Sequence, residues 1–199
     1  EDINSIDRWV AGNYSPEADE LSYIPFYGSF AMPFVMMLTK NERNHAGQIS
    51  MLFLETMATT GALYTISAGT VARSRPLVYN ENVPLDERLE SGAQRSWFGG
   101  HTAATAAATF FTAKVFADFN PDSWAKPYIW AAAIAIPAWV AYLRTISGKH
   151  FLTDNLTGYA VGALSGILIP ELHKKKNSDI NFSTFVGDEY KGFSLSYSF

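Results

Sequence analysis

The chain has 199 residues, with 15 lysines and arginines against 19 aspartates and glutamates and a formal net charge of -4. This balance excludes a nucleic-acid binder that works by bulk positive charge, because such binding needs clustered cations. Hydrophobic residues make up 48% and aromatic residues 15%, which is enough to bury the core of one compact domain. The chain has no cysteine, which excludes disulfides, thiolate nucleophiles and cysteine-based metal sites.

The first segment predicts little regular structure before the first long helix. The chain begins with Glu1 rather than methionine, and this start predicts a mature chain from which a secretion signal has been removed. Residues 15–20 are polar and predict a loop. We expect one helix from about Ser29 to Lys40 and a longer one from about Ala46 to Ala68.

The middle of the chain predicts a long loop followed by three helices. Residues 77–95 contain Pro84 and lack periodicity, and long irregular loops in compact domains tend to be functional. The later helices are expected from about His101 to Ala117, Pro127 to Arg144 and Leu152 to His173. The predicted fold is therefore mainly α, a helical bundle of about five to seven helices.

The C-terminal residues change from a helical to an alternating pattern. Phe193, Leu195 and Tyr197 alternate with serines, which indicates a strand, and residues 180–186 can pair with it. We expect a helical domain over residues 1–176 and a small β-hairpin over residues 177–199 that packs on the bundle.

Three apolar stretches are candidates for membrane spans, namely residues 47–71, 102–117 and 128–143. The first carries Glu55, the second is mostly alanine and threonine, and the third is short for a span. Mean hydropathy is -0.01, near the soluble range. The sequence therefore predicts buried bundle helices, and its many tryptophans and tyrosines leave a peripheral membrane contact open at one end.

Three segments hold nearly all the unusual polar residues. They are RSRP at 73–76, SWFGGHT at 96–102 and RTISGKHFLTD at 144–154. Each lies at the end of a predicted helix, so a bundle could bring all three to one rim.

These segments offer the groups that bind an anion. Gly99 and Gly100 precede a helix whose first backbone N–H groups are free to bind an anion. Arg75 and Arg144 each present a fork of donors suited to phosphate oxygens. Together with two histidines, these groups indicate phosphate before sulfate or carboxylate.

His150 and Asp154 are four residues apart. On a helical turn they share a face, so the carboxylate could orient the imidazole as in an activated nucleophile. The same spacing also arises in a plain surface pair. His101, beside the two glycines, is the second candidate acid or base.

The segments resemble the signature of the type 2 phosphatidic acid phosphatase superfamily, which also contains bacterial non-specific acid phosphatases and vanadium-dependent haloperoxidases. That signature reads Lys, six residues, Arg-Pro; then Pro-Ser-Gly-His; then Ser-Arg, five residues, His, three residues, Asp. The residues that match in order and spacing are Arg75, Pro76, Gly100, His101, Arg144, His150 and Asp154.

The chain departs from this pattern at the phosphate-binding positions. Ala68 stands at the family lysine, and Gly99 at the family serine of the second block. Leu143 replaces the serine before Arg144. Arg73 and Lys149 are the candidate substitutes for the missing donors, while the backbone N–H of position 99 is retained.

The resemblance implies a metal-independent phosphatase without a cofactor, acting on a phosphomonoester or diphosphate of a lipid or isoprenoid. It implies a periplasmic location or the outer face of a membrane. It assigns His150 as nucleophile, Asp154 as the residue that holds its ring, and His101 as the acid and base. The groups it implies for phosphate binding are Arg75, Arg144, Gly99, Gly100 and Arg73.

Three alternatives remain open from the sequence. A degenerate, non-catalytic phosphate-binding protein would explain Ala68 and Gly99. A haloperoxidase would hold vanadate in the same pocket, although such enzymes are usually much longer. A purely structural bundle would scatter the two histidines and two arginines over its surface.

Overall fold

The computed structural model of the chain describes residues 3–174, 180–186 and 191–197. These residues form a helical bundle and one pair of strands, so the predicted mainly α fold is confirmed. The α-helices are α1 (Pro16–Met36), α2 (Lys40–Arg43), α3 (Ala46–Thr70), α4 (Leu85–Leu89), α5 (Gly100–Phe119), α6 (Lys126–Ile146) and α7 (Leu152–Leu172).

Helix α1 begins thirteen residues earlier than the sequence pattern predicts, and the predicted loop over residues 15–20 is wrong. Ser15 caps the helix by accepting a hydrogen bond from the N–H of Ala18 at 3.2 Å, and proline occupies the first helical position. Pro25 and Pro33 lie inside the helix. Because an internal proline usually ends a helix, Pro25 hid the first part of α1.

The other long helices lie within a few residues of their predicted positions. Residues 77–95 are less irregular than expected. They contain α4 and two short 3-10 helices, Pro76–Tyr79 and Ser91–Gln94. This connection joins α3 to α5. It therefore lies at the end of the bundle where α1, α5 and α7 begin and α3 and α6 finish, which is called the upper end below.

Helix α5 is the centre of the bundle, with α1, α3, α6 and α7 packed around it. Its alanines and threonines are small enough to let four helices approach. Two of its buried hydroxyls donate to backbone carbonyls, Thr109 to Ala133 O at 3.0 Å and Thr112 to Ala108 O at 2.8 Å. The buried hydroxyl of Thr105 has no partner among the described residues. The expectation that residues 102–117 form a buried helix is confirmed.

A row of glycines on α7 brings that helix unusually close to α5. A Cβ atom added at Gly158 would lie 2.4 Å from Gly99 O, and one added at Gly162 would lie 2.0 Å from Ala103 O. One added at Gly166 would lie 2.6 Å from a carbonyl of α5. These distances leave no room for a side chain, so the glycines set the spacing of the two helices.

The outer faces of the bundle are apolar. The exposed large side chains include Ile24 and Phe34 on α1, Leu38 just after α1, Met51, Leu54 and Ile66 on α3, Ile134 and Trp139 on α6, and Leu156, Leu164 and Leu168 on α7. Within the described residues, α3 and α6 are the two helices long and apolar enough to cross a membrane, yet only 22% and 33% of their most apolar windows are buried. The prediction that both are buried helices is therefore wrong, because composition does not reveal which side chains face outward.

The predicted hairpin strands are present. Strand β1 (Ile180–Val186) pairs antiparallel with β2 (Lys191–Tyr197), with Ile180 opposite Tyr197. Residues 187–190, which connect the strands, lie outside the described residues. That the hairpin packs on the bundle stays a prediction.

Filling the glycine row should destabilise the bundle. We expect Gly162→Ala to cost about 1–3 kcal/mol, because the new methyl group would collide with a backbone carbonyl of α5. Gly28→Ala is the matched control, since a Cβ there meets nothing within 4 Å and should leave stability unchanged or raised by roughly 0.5–1 kcal/mol. Thermal unfolding of the purified chain in detergent measures both, and equal stability of the two variants would contradict this role of Gly162.

Candidate active site

Four side chains predicted from the motifs come together at the upper end of the bundle. His150 and Arg144 are almost fully buried, at 2% and 3% exposed. The positive charges of Arg75 and Arg144 act on both His101 and His150, and Arg144 also acts on Arg75. These charge effects indicate that the four groups lie at the same end of the bundle, as the motif spacing predicts. Because His150 and Arg144 are buried, the four groups are not scattered over the surface.

Local backbone structure holds these groups in place. Arg75 lies in an extended segment and donates its N–H to Ala93 O at 2.8 Å, before proline begins a 3-10 helix. Arg144 is in the last turn of α6. The chain then turns through Gly148, whose φ of 74° is in the left-handed region. The N–H of His150 returns to Arg144 O at 3.2 Å, so this turn keeps both residues together.

The imidazole of His150 is oriented by a backbone carbonyl. Its Nδ1 lies 2.7 Å from Ser96 O. A carbonyl oxygen only accepts hydrogen bonds, so Nδ1 must carry the proton. In the neutral ring, Nε2 is then the nitrogen with the free lone pair.

The predicted hydrogen bond between Asp154 and His150 is not formed. Asp154 Oδ2 accepts from Ser96 Oγ at 2.5 Å and from the N–H of Phe151 at 2.8 Å, while Oδ1 binds Arg73. The reason is that His150 precedes α7, which begins at position 152, and so does not share a helix face with Asp154. Asp154 instead holds Ser96, whose carbonyl holds the histidine.

Arg73 binds two buried carboxylates and does not join the arginine pair formed by Arg75 and Arg144. Its guanidinium bonds to Asp7 Oδ2 at 2.7 Å and to Asp154, and its Nη1 lies 3.0 Å from Thr153 Oγ1. Both aspartates are 0% exposed. The expectation that Arg73 binds phosphate is therefore wrong, because its donors are already used to neutralise these carboxylates.

The backbone of Gly99 is also already engaged. Its N–H donates to Asp154 O at 2.9 Å. The sequence analysis predicts that this N–H is free to bind an anion, and that prediction is wrong. A Cβ here would lie 2.5 Å from Asn155 Oδ1, which explains why glycine rather than serine occupies the position. The helix geometry of α5 instead leaves the N–H groups of Gly100, His101 and Thr102 without acceptors inside the helix.

The two arginines have donors to offer. Arg75 Nε and Arg144 Nε are both buried, and neither has a hydrogen-bond partner among the described residues. Buried donors are normally satisfied, so two orphaned guanidinium nitrogens beside each other indicate a site for an anion.

A carboxylate that the sequence analysis missed completes the site. Asp19, in the first turn of α1, binds Arg144 Nη1 through Oδ1, and its Oδ2 lies 3.3 Å from Lys149 Nζ. Ser22 Oγ lies 3.4 Å from the same arginine nitrogen. An acidic residue in the first turn of a helix stabilises the helix without any further partner. Asp19 could therefore have been noticed only if the start of α1 had been predicted correctly.

Burial and positive charge keep both histidines neutral. Burial, followed by the charge of Arg144, lowers the pKa of His101 to about 3. The same two causes hold the pKa of His150 well below its ordinary value. A neutral imidazole is the form that can act as a nucleophile.

A groove of about 240 Å³ begins at His101. It runs over α5 between α1 and α3, which make few contacts with each other. Its lining is mostly apolar and includes Phe26, Met57, Gly61, Tyr64 and Ala104. The ring of Phe26 packs on the imidazole, with centroids 4.5 Å apart.

The family model described as the PAP2 superfamily matches residues 49–178, which include all three motif segments. The chain belongs to the PAP2 superfamily. This is the family that the motifs resemble, and its members hydrolyse phosphate esters. A search of curated proteins gave no significant match.

Two solved structures show the same PAP2 fold. One is a transmembrane PAP2 type phosphatidylglycerolphosphate phosphatase from Bacillus subtilis, with a TM-score of 0.62 and 20% identity over 87% of this chain and 85% of that one. The other is Aquifex aeolicus LpxE, with a TM-score of 0.58 and 19% identity over 86% of this chain and 98% of that one. At these identities the likeness establishes the fold alone.

Acidification should weaken the fold through His101. Its pKa is lower in the folded protein than in the unfolded chain, so the unfolded chain binds more protons and stability falls as the pH drops below about 6.5. The unmodified chain should lose free energy of unfolding between pH 6.5 and 5, and we expect His101→Asn to remove up to about 2 kcal/mol of that loss. Chemical unfolding at a series of pH values tests this expectation. His45 is exposed, so His45→Asn is the control. Parallel curves for His101→Asn and the unmodified chain would contradict it.

Proposed function

We propose that this PAP2 protein is a metal-independent phosphatase that hydrolyses a phosphomonoester or diphosphate of a lipid or isoprenoid. The observation that carries the proposal is the tautomer of His150, which leaves Nε2 with the free lone pair on a ring that is exposed to the positive charges of Arg144 and Arg75. Both arginines have an unpaired Nε. A neutral nucleophile among fixed cations suits attack on a phosphoryl group, because negative charge on the phosphate oxygens is stabilised as the reaction proceeds.

The first step forms a phosphohistidine. His150 Nε2 attacks phosphorus, the N–P bond forms, and the bond from phosphorus to the leaving oxygen breaks. Arg75, Arg144 and the first N–H groups of α5 bind the phosphoryl oxygens. His101 gives its proton to the leaving oxygen. The bound anion supplies the negative charge that offsets the nearby cations and allows His101 to carry that proton.

The second step returns the enzyme to its starting state. A water oxygen attacks the phosphoryl group while His101 accepts a proton from that water. The N–P bond breaks, and inorganic phosphate leaves with His150 neutral again. The proton on His101 passes to solvent once the phosphate that held it has left. Ser96 O and Asp154 act throughout by keeping Nε2 directed at phosphorus, since the carbonyl fixes the ring and the carboxylate fixes Ser96.

The apolar groove supports a lipid or isoprenoid substrate. It starts at His101, the group that would protonate the leaving oxygen, so the leaving group would extend into it. Met57, Tyr64 and Phe26 would contact a hydrocarbon chain there. The phosphatase from Bacillus subtilis with the same fold is named for a phosphatidylglycerolphosphate substrate, which is a lipid phosphate.

The apolar outer faces support contact with a bilayer. Helix α3 has 25 residues, or about 37 Å at 1.5 Å per residue, against a hydrocarbon core of about 30 Å. Its exposed side chains are apolar rather than charged along most of its length. We propose that the bundle lies in a membrane with its upper end on the periplasmic or outer face.

Loss of the nucleophile should abolish turnover. We expect His150→Ala to reduce phosphate release from phosphatidic acid, phosphatidylglycerolphosphate or an isoprenoid diphosphate by at least a thousandfold, since the substitution removes the nitrogen that attacks phosphorus. His173→Ala is the matched control, because His173 is half exposed and pairs with Glu55 far from the site. Phosphate release in mixed micelles measures both.

Two outcomes would contradict the proposal. Equal phosphate release by His150→Ala and the unmodified chain would exclude the phosphohistidine. Tight binding of inorganic phosphate with no release from any of these substrates would identify a non-catalytic anion-binding protein. The second outcome is supported by the replacement of two family donors at Ala68 and Gly99.

The absence of cysteine makes the proposed orientation easy to test. Asn82→Cys places a single thiol in the exposed loop at the upper end, and Asp122→Cys places one at the opposite end. We expect a membrane-impermeant maleimide to label Asn82→Cys in intact cells, and Asp122→Cys only after lysis. Labelling of Asp122→Cys alone in intact cells would reverse the orientation, and equal labelling of both would exclude a spanning bundle.

A further inference from the structure

Asp19 is the carboxylate that directly contacts Arg144 among the described residues. One oxygen binds Arg144, and the other lies 3.3 Å from Lys149 Nζ. Arg144 is 3% exposed, whereas Asp19 and Lys149 are each 22% exposed. The carboxylate therefore neutralises a buried cation from the open side of the site, where an anion would enter.

Lys149 belongs to the same cluster. It directly precedes His150, its charge acts on His101, and it is held beside Arg144 by Asp19. No other lysine lies in this part of the described structure, and the family lysine position carries Ala68. Lys149 thus supplies a third positive charge in place of the family lysine, whose position is occupied by Ala68.

The cations of the site outnumber the carboxylates that act on them. Asp19 contacts Arg144 and Lys149, and the charge of Glu90 acts on Arg75, while both histidines are neutral. The empty site therefore keeps a net positive charge. This charge attracts a terminal phosphate group with two negative charges more strongly than a phosphodiester with one.

We propose that Asp19 is a positioning residue that acts as a built-in counter-anion, holding Arg144 and Lys149 in the empty site and competing with the phosphate for them. Lys149 is then the third phosphate-binding cation. The inference rests on the proposed function and adds to it the charged residues that hold and release the terminal phosphate. It also implies that Asp19 limits inhibition by the phosphate product, because it shares the cations that hold this product.

Binding of orthovanadate and inorganic phosphate to the full chain in detergent tests the role of Asp19. We expect Asp19→Asn to bind both about tenfold more tightly than the unmodified chain, because one competing negative charge is removed. Glu20→Gln is the matched control, since Glu20 is the next residue on the same helix and is exposed. Unchanged or weaker binding by a folded Asp19→Asn variant overturns the inference.

A second variant keeps the inference testable if Asp19→Asn does not fold. Lys149→Met removes the more exposed cation and should weaken the binding of both anions at least tenfold, with little effect on thermal stability. Unchanged anion binding in Lys149→Met would exclude this lysine as a phosphate ligand.

The pH profile separates an electrostatic role from a merely structural one. Asp19 raises the pKa of His101, so its removal should lower that pKa. We expect the alkaline limb of the kcat/KM profile of Asp19→Asn to move to lower pH, and an unmoved limb counts against the inference. Failure of the proposed function looks different, since it would abolish turnover while leaving the expected changes in anion binding intact.

Discussion

The close approach of α5 and α7 is the constraint on which the site depends. Three glycines on α7 let backbone carbonyls of α5 come within the space that a methyl group would need. His101 stands in the first turn of α5 and His150 two residues before α7. Any wider spacing between these helices would separate the two imidazoles, so the chemistry of the site is limited first by backbone packing.

A polar network lies behind the imidazole of His150. Arg73 joins two buried aspartates, and one of them, Asp154, holds Ser96. Ser96 then orients His150 through its carbonyl. Burial raises the pKa of Asp154, while its donors, Ser96 first, lower it again. The network ties the N-terminal segment, the loop after α3 and the start of α7 together, because a buried carboxylate without these donors would be costly.

The pKa values of the site are set by the positive charges of Arg75 and Arg144, which have no bound anion to offset them. Arg75 and Arg144 repel each other, and burial followed by this repulsion lowers the pKa of Arg75. The same positive field keeps both histidines neutral. In the proposed mechanism, an incoming phosphate relieves the repulsion and raises the affinity of His101 for a proton. Substrate binding would then prepare His101 as the general acid, while the empty site keeps His150 unprotonated.

The sequence by itself determined the helices after position 46, the three motif segments and the cationic character of the site, since helical periodicity and motif spacing are local properties. Only the tertiary structure decided which donors are free. It assigned Arg73 to carboxylates, gave the orientation of His150 to Ser96 instead of Asp154, used the N–H of Gly99 internally and brought Asp19 beside an arginine 125 residues away. Such contacts depend on how helices pack, and side chains distant in the chain compete for the same donors, so no local pattern encodes the outcome.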